Sequence, residues 1–167
     1  MKGIALCGFM GCGKSTVATA LSEKFNLNHI DTDKYIEQQN GVTISQMFSL
    51  YGESYFRDKE FEAISKLCTE NGNVLALGGG AVLFERNVTA LKNSGYKLIF
   101  IDTDFDVIKS RLENDTTRPL LKTNDIKQLY DTRYPLYEKA CDIKLKCKDE
   151  NGEQLADIIM ETILKEG

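Results

Sequence analysis

Residues 8–15 read Gly8-Phe9-Met10-Gly11-Cys12-Gly13-Lys14-Ser15, directly after the apolar run Lys2–Cys7 and directly before a stretch with helical spacing. The pattern G-x-x-x-x-G-K-[ST] between a strand and a helix is the sequence form of a phosphate-binding loop. Glycines let the backbone turn tightly and aim several N–H groups at phosphate oxygens, and the following helix offers its positive N-terminus. Lys14 is long enough to reach β- and γ-phosphates, and the Ser15 hydroxyl suits a Mg²⁺ ion. The loop implies a bound nucleotide without naming the reaction, because kinases, GTPases and motor ATPases share it. A GTPase would carry a base-reading Asn-Lys-x-Asp motif; Lys122-Thr-Asn-Asp125 does not match it.

Further from the loop, apolar runs recur at 2–7, 74–77, 97–101 and 142–146, with a weaker one at 28–31. Helical spacing fills 14–25, 53–70, 85–93, 104–113, 124–139 and 153–165. Strand and helix alternate, which predicts an α/β fold whose parallel sheet carries helices on both faces and binds ligands beyond the carboxyl ends of its strands. The 167 residues, 42% hydrophobic, suffice for one domain with a substantial core, and no Pro- or Gly/Ser-rich linker divides them. With 21 Lys+Arg against 25 Asp+Glu the net charge is -4, which argues against a nucleic-acid or anionic-membrane binder. The N-terminal apolar stretch is too short for a secretory core, and no apolar run approaches membrane length, so a cytoplasmic protein is expected. Five cysteines with no C-x-x-C spacing and a single histidine, His29, suggest neither a disulfide framework nor a zinc site. The cysteines read as reduced, mostly buried thiols, Cys12 as a small filler and His29 as structural.

Three other segments carry chemistry. Asp31 and Asp33 lie two residues apart at the end of the second candidate strand, on one side of an extended chain. One carboxylate can order Mg²⁺ through water while the other accepts a proton from an attacking hydroxyl. Arg57 and Glu60 lie three apart on one helix face, where the carboxylate can hold the guanidinium fork rigid. Gly78-Gly79-Gly80 follow a strand and let main chain approach a ligand closely. The polar stretch 114–123 has no apolar run to anchor it and reads as a mobile lid whose closure excludes water.

Taken in order, GFMGCGKST (8–16), Asp31-Thr32-Asp33, GESYFRDKE (52–60), LGGGA (77–81), RPLL (118–121) and RYPLY (133–137) resemble shikimate kinases across nearly the whole chain. The resemblance implies a P-loop kinase fold with a five-stranded parallel sheet, a lid, and ATP-dependent transfer of the γ-phosphate to the 3-hydroxyl of shikimate, a step of aromatic amino-acid biosynthesis. Carried over to this chain, it makes Asp33, Arg57, Gly78, Gly79, Gly80 and Arg133 the shikimate-binding residues, within a substrate-binding helical region at 34–62. It makes Asp33 the base, with Lys14 and Arg118 also catalytic. Gly11, Cys12, Gly13, Lys14, Ser15 and Thr16 become the ATP loop, Arg118 a lid residue reaching the phosphates and Arg111 a neighbour of the adenine. Ser15 becomes the Mg²⁺ ligand, and Asp31 acts on the ion through water. The expected partners are shikimate and ATP, the expected cofactor Mg²⁺, and the expected state a monomer with no nucleic-acid or membrane partner.

The chemistry fits these assignments. A carboxylate substrate on an acidic protein needs local cations, and the forks of Arg57 and Arg133 give a two-point grip that lysine could not copy. Arg118 precedes Pro119, which biases it toward an extended backbone, and it would neutralise charge on the transferring phosphoryl group. Phe48 and Phe56 read either as walls of the acceptor pocket or as plain core. The chain departs from the family in Leu77, where Ser or Thr is usual, and in the proline-free loop Lys148–Gly152. Competing readings are a gluconate kinase or another small-molecule P-loop kinase, and a catalytically inactive nucleotide-binding module. Acceptor-dependent ADP release separates them.

Overall fold

The apolar run before the loop becomes β1 (Gly3–Cys7), buried at every position, as a strand covered on both faces must be. In the computed structural model, which describes residues 1–114, 123–148 and 150–166, β1 is the central strand of the sheet. Its companions are β2 (Asn28–Asp31), β3 (Asn73–Ala76), β4 (Tyr96–Thr103) and β5 (Ile143–Cys147). The order is β2-β3-β1-β4-β5, and every neighbouring pair is parallel, with Ile4 opposite both Val74 and Lys97. The expected five-stranded parallel sheet is present. β2 is the half-exposed edge, which explains why its apolar signal was weak.

The helices are α1 (Lys14–Phe25), α2 (Thr32–Asn40), α3 (Ile44–Tyr51), α4 (Glu53–Leu67), α5 (Glu85–Asn93), α6 (Phe105–Glu113), α7 (Thr123–Ala140) and α8 (Gly152–Glu166), with a 3-10 turn at Ala81–Leu83. α1 packs on α8, and α5 and α7 pack against β4. The main core joins Leu6, Leu75, Ile99, Leu21 of α1, Leu91 of α5 and Ile159 of α8. A second small core, Ile36, Met47, Phe56 and Ala63, holds α2, α3 and α4 together.

Two departures from expectation have clear physical reasons. β4 extends past the apolar run to Asp102 and Thr103, because both polar side chains are buried and hydrogen-bonded, to Tyr134 and to the Cys12 carbonyl respectively. α2 and α3 carry few buried positions, so periodicity was faint within 34–62. Both helices are capped by side chains: Asp31 accepts from the Lys34 N–H, and Thr43 and Gln46 form a capping box. Most of the expected lid, with Arg118, lies outside the described residues. Among the described residues no helix is long and apolar enough to cross a membrane. All five cysteines are free thiols, four of them buried.

Candidate active site

The turn after β1 closes on itself: the Cys12 N–H donates to the Phe9 carbonyl at 3.1 Å, and the Val17 N–H to the Gly13 carbonyl at 3.1 Å. Gly8 and Gly13 have φ of 147° and 103°, left-handed values that a side chain strongly disfavours. A Cβ on Gly8 would also stand 2.8 Å from the Cys12 sulfur and 2.9 Å from the Ile101 carbonyl oxygen. Cys12 is a buried filler of the loop, as its sequence position suggested. From below, the Thr103 hydroxyl donates to the Cys12 carbonyl at 2.8 Å, and from the side Arg111 Nη1 donates to the Gly11 carbonyl at 3.0 Å.

Lys14 folds back over the loop, with Nζ donating to the Gly8 carbonyl at 2.7 Å and the Phe9 carbonyl at 3.1 Å. The ammonium is thus held at the loop's mouth by weak acceptors that anionic phosphate oxygens can replace. Ser15 is exposed at the start of α1, its hydroxyl open to the cleft.

Three elements bring the acceptor residues to the loop. Asp31 ends β2 and caps α2 through Oδ1, 3.1 Å from the Lys34 nitrogen, which leaves Oδ2 uncommitted by that bond. Between the two aspartates, buried Thr32 points the other way; its hydroxyl donates to the Ala76 carbonyl at 3.3 Å and accepts from the Gly78 N–H at 3.1 Å. That bridge fixes the start of the glycine run against α2. Burial, reinforced by the Asp31 carboxylate, raises the Asp33 carboxyl above its usual range, against the pull of Lys14.

On α4, Arg57 Nη1 donates to both oxygens of Glu60, at 3.0 and 3.2 Å. Glu60 is 1% exposed; burial raises its carboxyl, and Arg57 draws it back. The Arg57 guanidinium also sits 5.1 Å from the Phe56 ring centre and 4.8 Å from that of Phe84, cation-π contacts that limit its freedom. Phe56 is therefore core and arginine support together, while Phe48, 5.1 Å away, is 39% exposed. On α7, Arg133 lies beside Gly79, and its Nε is buried without a partner. Tyr137 donates its O–H to the Gly79 carbonyl at 2.7 Å.

The glycine run shows why it holds no side chains. A Cβ on Gly78 would lie 2.5 Å from Asp33 Oδ1, on Gly80 2.6 Å from Arg57 Nη2, and on Gly79 3.5 Å from Arg133 Nη1. Each glycine faces one of the three polar side chains expected to hold the acceptor. The loop residues 10–17, Asp31, Asp33, the three glycines, Arg111 and Arg133 border one cleft of about 870 Å³, bounded on the far side by Cys147, Lys148, Glu150, Asn151, Gly152 and Leu155. Arg57 stands behind Gly80 at its margin. Thr32, Thr103 and Tyr137 are support residues that sequence reading did not single out; alternation along β2, the polar end of β4 and the tyrosine of RYPLY were their signals. His29 stands apart, its ring 3.4 Å from the Thr19 hydroxyl, in a structural place.

The donor set fits Mg²⁺: a hydroxyl and two carboxylates are hard oxygen ligands, and the like charges of Asp31 and Asp33 favour a nearby cation. No group of three or more candidate ligands is clustered among the described residues, so the ion would keep water and phosphate oxygens, as Mg²⁺ commonly does.

The sequence profile described as shikimate kinase matches residues 10–164. The shikimate kinase of Sulfurihydrogenibium sp. is 38% identical over 165 residues, covering 98% of this chain and 98% of that one. That of Thermodesulfovibrio yellowstonii is 39% identical, covering 96% and 94%. Among solved structures, shikimate kinase from Acinetobacter baumannii in complex with shikimate superposes with a TM-score of 0.89 at 32% identity, covering 99% and 94%. The Aquifex aeolicus enzyme gives 0.85 at 35%, covering 98% and 97%. With a phosphate loop, a paired aspartate and two arginines gathered on one glycine run, and with relatives matched over nearly their whole length, the chain belongs to the shikimate kinase family.

Proposed function

We propose that the cleft binds ATP over the N-terminus of α1 and shikimate against Asp33, Arg57, Gly79 and Arg133, and that the chain transfers the γ-phosphate to the 3-hydroxyl, giving shikimate 3-phosphate and ADP. The observation that carries this reading is the placement of Asp33, Arg133 and Arg57 on Gly78, Gly79 and Gly80, beside the phosphate loop.

The residues divide the work by their chemistry. Arg57, aimed by Glu60, and Arg133 grip the acceptor's carboxylate from two sides; Gly78 and Gly80 supply close main chain. Asp33 takes the hydroxyl proton, and its raised carboxyl makes it a stronger proton acceptor than an exposed aspartate. Lys14 leaves the Gly8 and Phe9 carbonyls for the β- and γ-phosphates and neutralises charge as it develops. Gly11, Cys12, Gly13 and Thr16 complete the nucleotide loop, and Arg111, already on the Gly11 carbonyl, flanks the base. Mg²⁺, when bound, screens the phosphate charge; Ser15 would hold it directly and Asp31 through water. Arg118, outside the described residues, is assigned to the transferring phosphoryl group and the 114–123 segment to the lid. We take the chain to act as a monomer, and its five free thiols suit a reducing cytoplasm.

The test is ADP release by the purified protein with Mg²⁺ and ATP, adding shikimate, gluconate, AMP or no acceptor. Release that rises only with shikimate is expected. A rise with gluconate or AMP instead would replace the acceptor, and no rise with any of them, in a protein whose melting temperature still climbs with ATP, would favour a binding module.

A further inference from the structure

Asn87 on α5 is 1% exposed. Its Nδ2 donates to Glu60 Oε1 at 3.3 Å and to the Ala81 carbonyl at 2.9 Å, while its Oδ1 is buried with no partner. Both partners of the NH₂ group are pure acceptors, so turning the amide over would set oxygen against oxygen. A buried acceptor left unpaired is unfavourable, and a leucine of similar size would avoid it. The position thus tolerates an orphaned carbonyl in order to hold a donor with two prongs.

The two prongs join the two sides of the Arg57 pocket. One ends on the carboxylate that aims Arg57, whose both oxygens accept from Nη1. The other ends on the carbonyl of Ala81, the residue after Gly80, against which Nη2 packs. Glu60 approaches from α4 and the glycine run from β3, and no backbone hydrogen bond of a shared element sets their separation. We infer that Asn87 is a positioning residue for the acceptor's carboxylate: it locks Glu60 to the glycine turn, so that Arg57 keeps Nη2 turned toward the substrate. The assignment rests on the shikimate reading above.

Two variants test it. Asn87→Leu removes the donor and the orphaned carbonyl together. Asn87→Asp keeps shape and volume but puts a carboxyl against Glu60, and only its protonated form can donate. The other charges facing Glu60 are Arg57, beside it on α4, and Asp33 of α2; Arg86 of α5 is paired with Asp58. All three stay unchanged in both variants, so the ratio of variant to wild-type KM isolates position 87.

In the ADP-release assay, Asn87→Leu should raise KM for shikimate about tenfold, with kcat and KM for ATP within about twofold of wild type. Asn87→Asp should bind shikimate most nearly as wild type at the acid end of the pH range and lose affinity progressively as pH rises and the shared proton leaves. Unchanged KM for shikimate in both variants would overturn the assignment. So would equal losses of kcat and melting temperature in both with no dependence on pH, the pattern of a purely structural residue. If the leucine variant fails to fold, the isosteric aspartate variant carries the test alone. Wild-type protein that ignores shikimate would overturn the acceptor reading itself, whereas variants that match a shikimate-responsive wild type would overturn only the role of Asn87.

Discussion

Gly80→Ala adds one methyl group, and in this fold the methyl lands on Arg57. It would stand 2.6 Å from Nη2, 2.9 Å from Nη1 and 3.1 Å from Cζ, short of ordinary contact by about 0.8 Å at the nearest atom. The backbone conformation of Gly80, φ -99° and ψ -3°, is open to alanine, so the effect is steric and directed at one side chain. Neither partner gives way easily. Main chain at Gly80 is pinned by the Ala81 N–H to Gly78 and the Leu83 N–H to Gly80 itself, and the guanidinium is held by Glu60, Phe56 and Phe84. Moving it by that distance breaks its alignment with Glu60 and with the acceptor's carboxylate. A charged hydrogen bond is worth about 1.5–3 kcal/mol, and about 1.4 kcal/mol is a factor of ten. KM for shikimate should therefore rise roughly 10- to 100-fold while kcat changes little. The assay is steady-state ADP release with shikimate varied at saturating ATP, run on Gly80→Ala, Arg57→Ala and the double variant. Because both changes act on one guanidinium, the double variant should resemble Arg57→Ala instead of multiplying the two losses. A wild-type KM in Gly80→Ala, or a double variant in which the losses multiply, would refute the reasoning.

Lys14→Ala removes the only loop cation placed to follow the phosphates from the Gly8 and Phe9 carbonyls; turnover should fall at least about 1000-fold in a folded protein, measured by single-turnover ADP formation. Asp31→Asn keeps the cap on α2 but deletes a like charge that raises Asp33. The acid limb of the kcat profile should then move to lower pH at saturating Mg²⁺; a limb that stays put would take Asp33 out of the role of base. Asp33 is also a stability statement. Its folded-state carboxyl is raised, so the folded state binds the proton more tightly; this contribution is full below the unfolded value of about 3.9 and is lost as pH rises through the raised one. Asp33→Asn should accordingly raise the melting temperature at pH 7 relative to wild type, with the gap closing toward acid pH, while kcat collapses and shikimate still binds.

The sequence determined the frame and the chemistry at its centre. The motif at Gly8–Ser15 fixes a strand, a turn and a helix with little freedom, since the left-handed glycines and the lysine's reach are local properties. Apolar runs located all five strands: β1, β3 and β4 are apolar because they are buried on both faces, while the edge strands β5 and β2 are partly exposed and read more faintly. What lay beyond local reading was whatever depends on residues far apart in the chain. Asp102 and Thr103 look like the end of a strand until Tyr134 and the phosphate loop supply their partners. The helices α2 and α3 bury too few side chains to show a period and are held by a small core of their own. Gly78, Gly79 and Gly80 read alone as a permissive turn; only packing shows that each faces a different polar group, brought from α2, α7 and α4. Asn87 carried no motif at all, because its meaning lies in two acceptors that α4 and the 3-10 turn after the glycine run bring to it. Hydrogen-bond types and backbone preferences are written residue by residue, while the distances that turn them into a site are set by how the sheet and its helices pack.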